Sequence, residues 1–363
     1  MKTTRLIIVG GFLGAGKTTL LWETASRFMK DDKRVGLITN DQAPELVDTA
    51  LLSHNNVKVT EVSGSCFCCN FDGLISALRQ VRSDAQADVI IAEPVGSCTD
   101  LSATIIQPLK EHMKAELEVS PFTVLADPAR LADILDGGNA DLHPSAAYIY
   151  KKQLEEADII LITKTDLLQA EELIRLIKKT ELQFPGPQIL PVSSKTGEGL
   201  AAWIKIISES NQAGQRLIEV DYDVYAEGEA VLGWLNSTLE LEGVQTDWDK
   251  FAKDFLTNLS QKIDQMGVGV GHVKIMLETG DTYLVGNLTG KASTLNFRGK
   301  AGVADNAKII INARVGVSSE TLDRLVHDAL DAVKDNTVVM KPTAWKCLSP
   351  GYPNPTYRYK KVV

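Results

Sequence analysis

The sequence predicts an α/β fold with a mostly parallel sheet, followed by a smaller α+β domain. Apolar strand-like segments alternate with helix-like segments over residues 1–210, which is the pattern of βαβ units. A glycine-rich segment, residues 10–16, joins the first strand to the first helix. Polar motifs follow several predicted strands, and ligands of open α/β sheets bind beyond that end of the strands. These observations predict a ligand site at one edge of the sheet.

Seven segments are predicted as strands of the first domain, because each is a short apolar run. They are residues 5–9, 34–39, 57–61, 88–91, 122–126, 159–163 and 189–192. Such apolar runs with helices between them are typical of parallel strands that are buried on both faces.

Composition and charge are those of an ordinary globular chain. Its 363 residues, 44% apolar and 23% charged, predict two domains, residues 1–210 and 216–363. The net charge of −9 argues against nucleic-acid or membrane-surface binding, since phosphates attract clustered Lys and Arg. No apolar run approaches the roughly 20 residues that span a bilayer. The chain begins with a strand-like segment instead of a signal peptide, so a cytoplasmic location is expected.

The glycine-rich segment fits the phosphate-binding pattern G-x-x-x-x-G-K-[ST] of P-loop NTPases. Glycines let backbone N–H groups turn toward a phosphate, and the following helix directs its positive dipole end to the same anion. Lys17 is expected to reach the β- and γ-phosphates, and the Thr18 hydroxyl to bind Mg²⁺. The nucleotide-binding residues predicted here are Gly11, Gly14, Ala15, Gly16, Lys17, Thr18 and Thr19.

Two acidic segments follow the second and the fourth predicted strands. Residues 39–48 read TNDQAPELVD, and carboxylates that face phosphates would bind or gate Mg²⁺, so Asp41 is a predicted Mg²⁺ ligand. An ordinary polar turn is the alternative. The fourth strand leads into Glu93-Pro94-Val95-Gly96, where a carboxylate beside a P-loop serves Mg²⁺ or the attacking water. Glu93 and Lys17 are therefore predicted as catalytic, and Gly96 as a γ-phosphate contact.

Three of the five cysteines lie within four positions, between the third strand and the next helix. As thiolates, Cys66, Cys68 and Cys69 can converge on a soft metal, and a helix N-terminus favours the thiolate form. Small buried cysteines are the alternative. Cys98 follows the fourth strand at the same sheet edge, where it supplies a fourth thiol or simply packs. Cys347 is isolated and is not assigned as a ligand.

A base-reading motif, Thr163-Lys164-Thr165-Asp166, ends the sixth predicted strand and fits [NT]-K-x-D. The Asp166 carboxylate would accept hydrogen bonds from N1–H and the exocyclic amine of guanine, whereas adenine has no N1–H. The Lys164 stem would cover one face of the base. Residues 193–197 resemble the loop that closes over guanine, although a polar turn is the alternative. The nucleotide-binding residues predicted here are Thr163, Lys164, Asp166, Ser194 and Lys195.

The second domain shows a different pattern. Strands are predicted at residues 217–225, 228–241, 272–277, 282–287, 292–297 and 308–313. Helices are predicted at residues 248–266, from apolar side chains on one face, and from the capping residues Ser318 or Ser319 to residue 333. The end of the chain, residues 345–359, is extended and aromatic, and either binds a client or packs as a strap across the domain.

Four motifs in this order, at residues 11–19, 66–69, 93–96 and 163–166, resemble the CobW/HypB/UreG family of P-loop GTPases, in its CobW-like branch. The resemblance covers about residues 1–210. It implies slow, Mg²⁺-dependent GTP hydrolysis coupled to delivery of a transition metal, such as Zn²⁺ or Co²⁺, or of a metallocofactor. The implied partner is a client metalloprotein or a corrinoid protein. By the same likeness, Glu93 and Gly96 belong to the Mg²⁺ and γ-phosphate switch.

The chain departs from the family pattern in three places. The usual Asn-Glu-Phe-Gly-Glu loop reads Asn40-Asp41-Gln42-Ala43-Pro44, and Ser97-Cys98-Thr99 is an uncommon continuation of residues 93–96. The histidine-rich tract of zinc-handling members is absent, because the five histidines are scattered. This argues against zinc storage and favours a specialised client.

Three other functions stay open beside the metal-delivering GTPase. The first is a GTPase chaperone of a cobalamin-dependent enzyme. The second is an iron–sulfur or redox protein regulated by nucleotide, since four thiols can hold a cluster. The third is a nucleotide-dependent binding module without turnover. The sequence leaves the metal and the client unnamed, and a homodimer stays open.

Overall fold

The computed structural model describes residues 3–41, 46–53, 58–290, 295–334 and 337–363. The first sheet is built from β1 (Thr4–Gly11), β2 (Val35–Asp41), β3 (Lys58–Ser63), β4 (Val89–Glu93), β5 (Leu117–Val119), β6 (Thr123–Ala126), β7 (Ile159–Ile162) and β8 (Gln188–Pro191). Its strand order is β3-β2-β4-β1-β6-β7-β8, and the short β5 also pairs with β1. All of these pairings are parallel.

Helices connect these parallel strands, as crossover connections require. They are α1 (Lys17–Lys30), α2 (Val47–Ser53), α3 (Phe71–Asp84), α4 (Gln107–His112), α5 (Pro128–Leu135), α6 (Pro144–Glu156), α7 (Ala170–Gln183) and α8 (Leu200–Glu209). A further helix, α9 (Tyr222–Ala230), follows and packs against α6. The central strand β1 is buried over nearly its whole length, because helices cover both faces of the sheet.

The remaining strands form an antiparallel sheet. Its elements are β9 (Gly233–Asp247), α10 (Trp248–Met266), β10 (Val270–Thr279), β11 (Thr282–Leu288), β12 (Asn296–Lys300), β13 (Val303–Val315), α11 (Ser319–Val333) and β14 (Val339–Leu348). The strand order is β12-β11-β10-β13-β9-β14. The fold class is therefore confirmed: a mostly parallel α/β sheet is followed by a separate α+β layer.

The two helices of the antiparallel layer occupy the predicted ranges because their ends are specified locally. The Asp247 side chain accepts a hydrogen bond from the N–H of Lys250, and Gly267 ends α10 in the left-handed conformation with φ 66°. Ser318 caps α11 by accepting from the N–H of Thr321. Both helices pack their apolar faces on one side of the sheet, which buries a second hydrophobic core.

The strand predicted at residues 217–225 is wrong, because α9 begins at Tyr222. The Asp221 carboxylate caps this helix by accepting from the N–H groups of Asp223 and Val224. The buried residues Tyr225 and Glu229 are four positions apart, which is the period of a helix face. The strand predicted at 228–241 accordingly begins later, at Gly233.

Other differences are smaller. The strands β5 and β14 were not predicted, and the predicted strands 57–61 and 292–297 lie partly outside the described residues. The domain boundaries, 1–210 and 216–363, stay a prediction. No described helix is both long enough and apolar enough to cross a membrane.

Candidate nucleotide and metal sites

The loop between β1 and α1 is shaped by glycines with left-handed backbone angles. Gly11 has φ 125° and Gly16 has φ 91°, which residues with a Cβ rarely adopt. A Cβ on Gly11 would lie 2.6 Å from the carbonyl oxygen of Leu125. Gly16 is the N-cap residue of α1 and has no side chain to cap the helix. The first N–H groups of α1 are therefore available to an anion, which the helix dipole would stabilise.

Lys17 lies at the base of this loop and is buried. Its Nζ donates to the carbonyl oxygens of Gly11 at 2.7 Å and Phe12 at 3.3 Å, and lies 3.7 Å from Glu93 Oε1. Burial lowers the pKa of Lys17 and raises the pKa of Glu93 to about 7. Glu93 Oε2 is buried and accepts no hydrogen bond within the described part of the chain. The predicted catalytic pair is thus brought together with one carboxylate oxygen unpartnered.

Thr18 contacts a carboxylate that was not among the predicted ligands. Its Oγ1 donates to Asp48 Oδ1 at 2.6 Å, and Lys274 Nζ from β10 lies 3.2 Å from the same hydroxyl. Burial alone would raise the pKa of Asp48, but the Lys274 charge and the hydrogen bonds from Lys274 and Thr18 together outweigh burial and lower it. Asp41 instead pairs with Arg314 at 2.9 and 2.7 Å. Asp48 belongs to the acidic segment 39–48, so the sequence contained the signal that it lies beside the phosphate loop.

The base-reading motif is joined to the P-loop. Thr163 Oγ1 donates to the carbonyl oxygen of Ala15 at 2.9 Å, and Lys164 Nζ donates to that of Gly14 at 3.0 Å. Lys164 is held in the left-handed conformation, with φ 54°. Its ammonium also pairs with Asp127 Oδ2 at 2.8 Å. The phosphate loop and the predicted guanine motif are therefore positioned by the same hydrogen bonds.

Asp166 is oriented by the loop after β8. Ser193 Oγ donates to Asp166 Oδ1 at 2.7 Å, and Lys195 Nζ lies 3.8 Å from Asp166 Oδ2. Ser194 lies between these two residues in the same loop. A cleft of about 620 Å³ opens beside Lys164, between α5, α7 and Thr289. Of the residues predicted to read the base, Lys164 lines this cleft, whereas Asp166 and the loop after β8 do not.

The other predicted phosphate-loop residues differ in exposure. Ala15 is buried, whereas Thr19 is exposed in the first turn of α1. Arg130 was missed by sequence reasoning. It is half-buried, and it donates to the carbonyl oxygens of Leu13, Val270 and Gly271. This arginine ties the phosphate loop to β10 of the antiparallel sheet.

The three clustered cysteines form a compact group of sulfurs. Their Sγ atoms all lie within 4.8 Å of one another, with 3.0 Å between Cys66 and Cys68 and 3.8 Å between Cys68 and Cys69. The segment is a turn, because the N–H groups of Cys69 and Asn70 donate to the carbonyl oxygen of Cys66. The turn brings all three thiols to one point in front of α3.

Cys98 joins the periphery of this group. Its buried thiol interacts with those of Cys66 and Cys68, although it is not one of the three described sulfurs that lie within 4.8 Å of one another. Hydrogen bonds from the surrounding thiols, Cys68 first, lower the pKa of Cys66 well below its ordinary value. The cluster therefore contains one thiol that favours the thiolate form, which metals bind. Cys347 lies elsewhere, where its Sγ donates to the carbonyl oxygen of Ser319.

One segment, residues 93–100, contacts both groups. Glu93 and Gly96 lie at the phosphate loop, and a Cβ on Gly96 would be 3.1 Å from Lys17 Nζ. Two residues further, Cys98 lies at the sulfur cluster. The segment ends at Asp100, a buried residue with φ 64°. A displacement of Gly96 would therefore be transmitted through very few bonds to a thiol.

A model of the CobW/HypB/UreG nucleotide-binding domain matches residues 5–189. The chain belongs to the CobW/HypB/UreG family. This confirms the resemblance that the four motifs indicated, and it makes the chain a member of a family that includes GTPases and metallochaperones. The individual site residues remain predictions, which the geometry supports to different degrees.

Curated relatives from this family match over part of their length. The chain is 26% identical to the zinc chaperone CobW of Sinorhizobium sp. over 218 residues, which is 54% of this chain and 60% of that protein. It is 27% identical to the zinc chaperone YjiA of Escherichia coli over 194 residues, covering 51% of this chain and 57% of that protein. The matched segments thus span little more than half of these relatives.

Solved structures of family members are also similar. HypB from Helicobacter pylori in complex with nickel is 18% identical, with a TM-score of 0.41 over 58% of this chain and 88% of that chain. Zn(II)-bound YjiA GTPase from E. coli is 16% identical, with a TM-score of 0.37 over 92% of this chain and 100% of that chain.

In this family member the end of the chain covers the sulfur cluster. Residues 349–363, which we call the C-terminal strap, leave β14 and run across the first sheet's layer. The N–H of Thr356 donates to the carbonyl oxygen of Cys68 at 2.8 Å, and the N–H of Asn354 donates to Cys69 Sγ at 3.3 Å. Tyr357 packs edge-on against Phe71, with ring centroids 5.2 Å apart. Of the two expectations for this tail, the structure shows a strap, but one that lies on the α/β layer.

The strap is held by an ion pair at the end of segment 93–100. Arg358 Nε lies 2.6 Å from Asp100 Oδ2, and Tyr222 OH donates to the same oxygen at 2.8 Å. Burial raises the pKa of Asp100 despite these partners. Sequence reasoning could not find this pair, because its members are far apart in the chain.

Helix α9 places two further polar side chains beside the cluster. Glu229 is fully buried and accepts a hydrogen bond from Ser97 Oγ at 2.6 Å. Burial first, and then the neighbouring Cys66, raise the pKa of Glu229 to about 8. Tyr225 OH accepts from the N–H of Thr99 at 3.4 Å. Both residues were missed because the helix was predicted as a strand.

Proposed function

We propose that this chain is a GTP-hydrolysing metallochaperone that couples the nucleotide state to a transition metal held by its cysteines. The observation that carries the proposal is segment 93–100, which places Gly96 at Lys17 and Cys98 at the sulfur cluster. A switch of this kind needs two sites and one element that responds to both. Zinc chaperones and GTPase metalloprotein activators among the relatives support the same reading.

The nucleotide part of the proposal assigns GTP as the substrate. Lys17 and the N–H groups at the start of α1 bind the phosphates, where they neutralise the charge that develops during phosphoryl transfer. Asp166 selects guanine, because its carboxylate is oriented by Ser193 toward the loop that would enclose the base. Lys164 supports the base from one side while its ammonium holds the carbonyl oxygen of Gly14.

The residues beside the phosphates fit Mg²⁺. Thr18 Oγ1 and Asp48 are 2.6 Å apart, and the buried Glu93 Oε2 accepts no hydrogen bond among the described residues. Hydroxyl and carboxylate oxygens are the donors that this hard cation prefers. When bound, Mg²⁺ neutralises phosphate charge. Asp41 would join this set only by leaving Arg314.

The cargo part of the proposal assigns a transition metal to Cys66, Cys68 and Cys69. Three sulfurs within 4.8 Å of one another can bind one ion such as Zn²⁺ or Co²⁺. Cys98 would complete a four-thiol set after a small movement of segment 93–100. A three-thiol and a four-thiol set differ in affinity, so this movement gives the nucleotide a means of retaining or releasing the metal to a client metalloprotein.

The test is a Co²⁺ titration of the nucleotide-free, GDP-bound and non-hydrolysable GTP-analogue-bound protein. Thiolate-to-cobalt charge-transfer absorption reports the number of sulfur ligands, and the titration reports affinity. We expect the absorption per cobalt and the affinity to differ between the two nucleotide states. Equal spectra and equal affinities in both states would contradict the coupling.

Matched cysteine variants separate the sulfur site from unspecific binding. Cys66→Ser and Cys98→Ser should each reduce the charge-transfer absorption, whereas Cys347→Ser should leave it unchanged, because Cys347 lies outside the cluster. Protein purified without oxygen should contain no stoichiometric iron and sulfide. A brown protein with both elements would instead support the iron–sulfur alternative.

A further inference from the structure

The antiparallel sheet presents a polar face to the nucleotide site. Along β10, Val273 and Ile275 are buried in the core under α10 and α11. Side chains alternate along a strand, so the residues next to these two face the other side of the sheet. His272, Lys274 and Met276 are on that second face. Met276 packs against Val47 at the start of α2, in a small cluster of its own. The face that a two-layer fold would normally expose is therefore turned toward the P-loop layer.

Lys274 extends from this face into the oxygen atoms beside the P-loop. Its Nζ lies 2.7 and 2.8 Å from the two carboxylate oxygens of Asp48 and 3.2 Å from Thr18 Oγ1. The side chains of Lys274 and Asp48 are only 17% and 15% exposed. A largely buried ion pair gains little stability, because removing both charges from water is costly. A contribution to folding stability therefore does not explain why this ammonium lies here.

The same sheet holds both ends of the acidic segment 41–48. Arg314 on β13 pairs with Asp41, and its own side chain is 2% exposed. Asn312 Oδ1 on β13 accepts a hydrogen bond from the N–H of Val47 at 2.7 Å. Lys274 and Met276 on β10 then contact Asp48 and Val47. Two neighbouring strands thus bind the beginning and the end of a segment that borders the phosphates.

We propose that Lys274 is a nucleotide-site residue contributed by the antiparallel sheet, whose ammonium competes with Mg²⁺ for Thr18 and Asp48. The inference rests on the proposed Mg²⁺-dependent nucleotide binding. Two cations cannot share the same three oxygens, since both need the full negative charge of one carboxylate. Binding of the Mg²⁺–nucleotide complex therefore displaces Lys274 and loosens the contact between α2 and β10. The antiparallel sheet senses the nucleotide through this exchange.

The test measures the Mg²⁺ requirement for binding of a fluorescent GDP analogue. Lys274→Met removes the charge and keeps the stem, and Lys274→Gln keeps hydrogen-bond donors without the charge. Both variants should lower the Mg²⁺ concentration at half-maximal binding by about tenfold, within the range usual for coupled sites. Lys274→Arg should stay close to wild type. Lys341→Met, at an exposed position on β14 of the same sheet, is the matched control.

The outcomes distinguish failure of the Lys274 competition from failure of the proposed nucleotide binding. If wild type binds the analogue with Mg²⁺ and both neutral variants need as much Mg²⁺ or more, the competition is refuted while the proposed GTPase stands. If wild type shows no Mg²⁺-dependent binding at all, both proposals fail. Hydrogen–deuterium exchange is the second readout, and it needs only wild type. Exchange in α2 should become faster on addition of Mg²⁺ and nucleotide, and unchanged exchange would contradict the release of α2.

Discussion

The nucleotide site and the sulfur cluster are both covered by later parts of the chain, but through different contacts. The nucleotide site is closed by charged side chains of the antiparallel sheet, namely Lys274 on Asp48 and Arg314 on Asp41. The sulfur cluster is closed by backbone hydrogen bonds of the C-terminal strap and by the ring contacts of Tyr357 with Phe71 and His112. An ion or a phosphate can compete directly with the charged contacts, whereas the strap contacts are lost when the strap itself is displaced.

This difference indicates how two sites of one chain can react to different changes. A cation or a phosphate that enters the first site changes its charge balance directly. The strap contacts carry no such charge at the sulfurs, since the donors are the N–H groups of Asn354 and Thr356. Away from the sulfurs the strap does meet charges, since Arg358 pairs with Asp100, where segment 93–100 ends, and two strap tyrosines donate to acidic side chains elsewhere. The Arg358–Asp100 pair joins the strap to segment 93–100, whose first residue, Glu93, lies beside Lys17 of the phosphate loop.

The largest expected effect comes from Lys17→Ala, which removes the buried ammonium beside Glu93. GTP hydrolysis should fall by about 10²–10³-fold, because one preorganised donor to the transition state is lost. Co²⁺ binding to the nucleotide-free protein should be unchanged, since the sulfurs are a separate site. Phosphate release and cobalt titration measure the two quantities. Lys30→Ala, at the exposed end of α1, is the control, and full hydrolysis by Lys17→Ala would refute the active-site assignment.

The next prediction is that loss of the sulfur site leaves the nucleotide site intact. Cys66→Ser should weaken Zn²⁺ binding by at least about tenfold to a hundredfold. Substitution of a residue that only supports the ligands of a metal site already causes a loss of that size, and Cys66 is a proposed ligand itself. Affinity for a fluorescent GTP analogue should not change. Competition with a chromophoric chelator measures the zinc affinity, and Cys347→Ser is the matched cysteine control. Equal zinc affinity in both variants would mean that the metal binds elsewhere.

Truncation after Pro353 tests the second cover. Removal of residues 354–363 deletes the contacts to Cys68 and Cys69. Alkylation of Cys69 by iodoacetamide should then become about tenfold faster, which corresponds to a loss of ~1.4 kcal/mol in the free energy that keeps the strap over the cluster. Mass spectrometry measures the rate, with Cys347 as the internal reference. GTP-analogue affinity should remain at the wild-type value. If Cys69 reacts at the same rate in both proteins, the strap does not protect the cluster.

The smallest effect is expected from Tyr357→Ala, which removes the ring contacts with Phe71 and His112 and leaves the backbone hydrogen bonds of the strap in place. Edge-to-face pairs contribute about 0.5–1.5 kcal/mol, so Cys69 alkylation should accelerate by roughly two- to tenfold. Tyr357→Phe keeps the ring and should behave as wild type. An acceleration as large in Tyr357→Phe as in Tyr357→Ala would show that the ring pair is not what holds the strap.

Motifs that depend on neighbouring residues were predictable. The P-loop, the sulfur cluster and the base-reading motif each lie within a few positions, so local spacing is sufficient to specify their chemistry. Helix α10 was predicted at its observed bounds from the apolar side chains along one of its faces, and the structure shows that Asp247 and Gly267 mark its ends. Helix α9 was not, because its short run of buried residues also fits a strand. Here packing of Tyr225 and Glu229 beside the cluster decided the conformation.

By itself the sequence determined a P-loop domain and a group of thiols, and it predicted a guanine-reading motif at the edge of the sheet, since these follow from residue type and close spacing. Only the tertiary structure decided what covers them. Lys274 meets Asp48, and Arg358 meets Asp100, across more than two hundred residues of chain. Such pairs depend on which faces of distant strands come together, and that is set by burial of apolar surface over both layers and by no local signal.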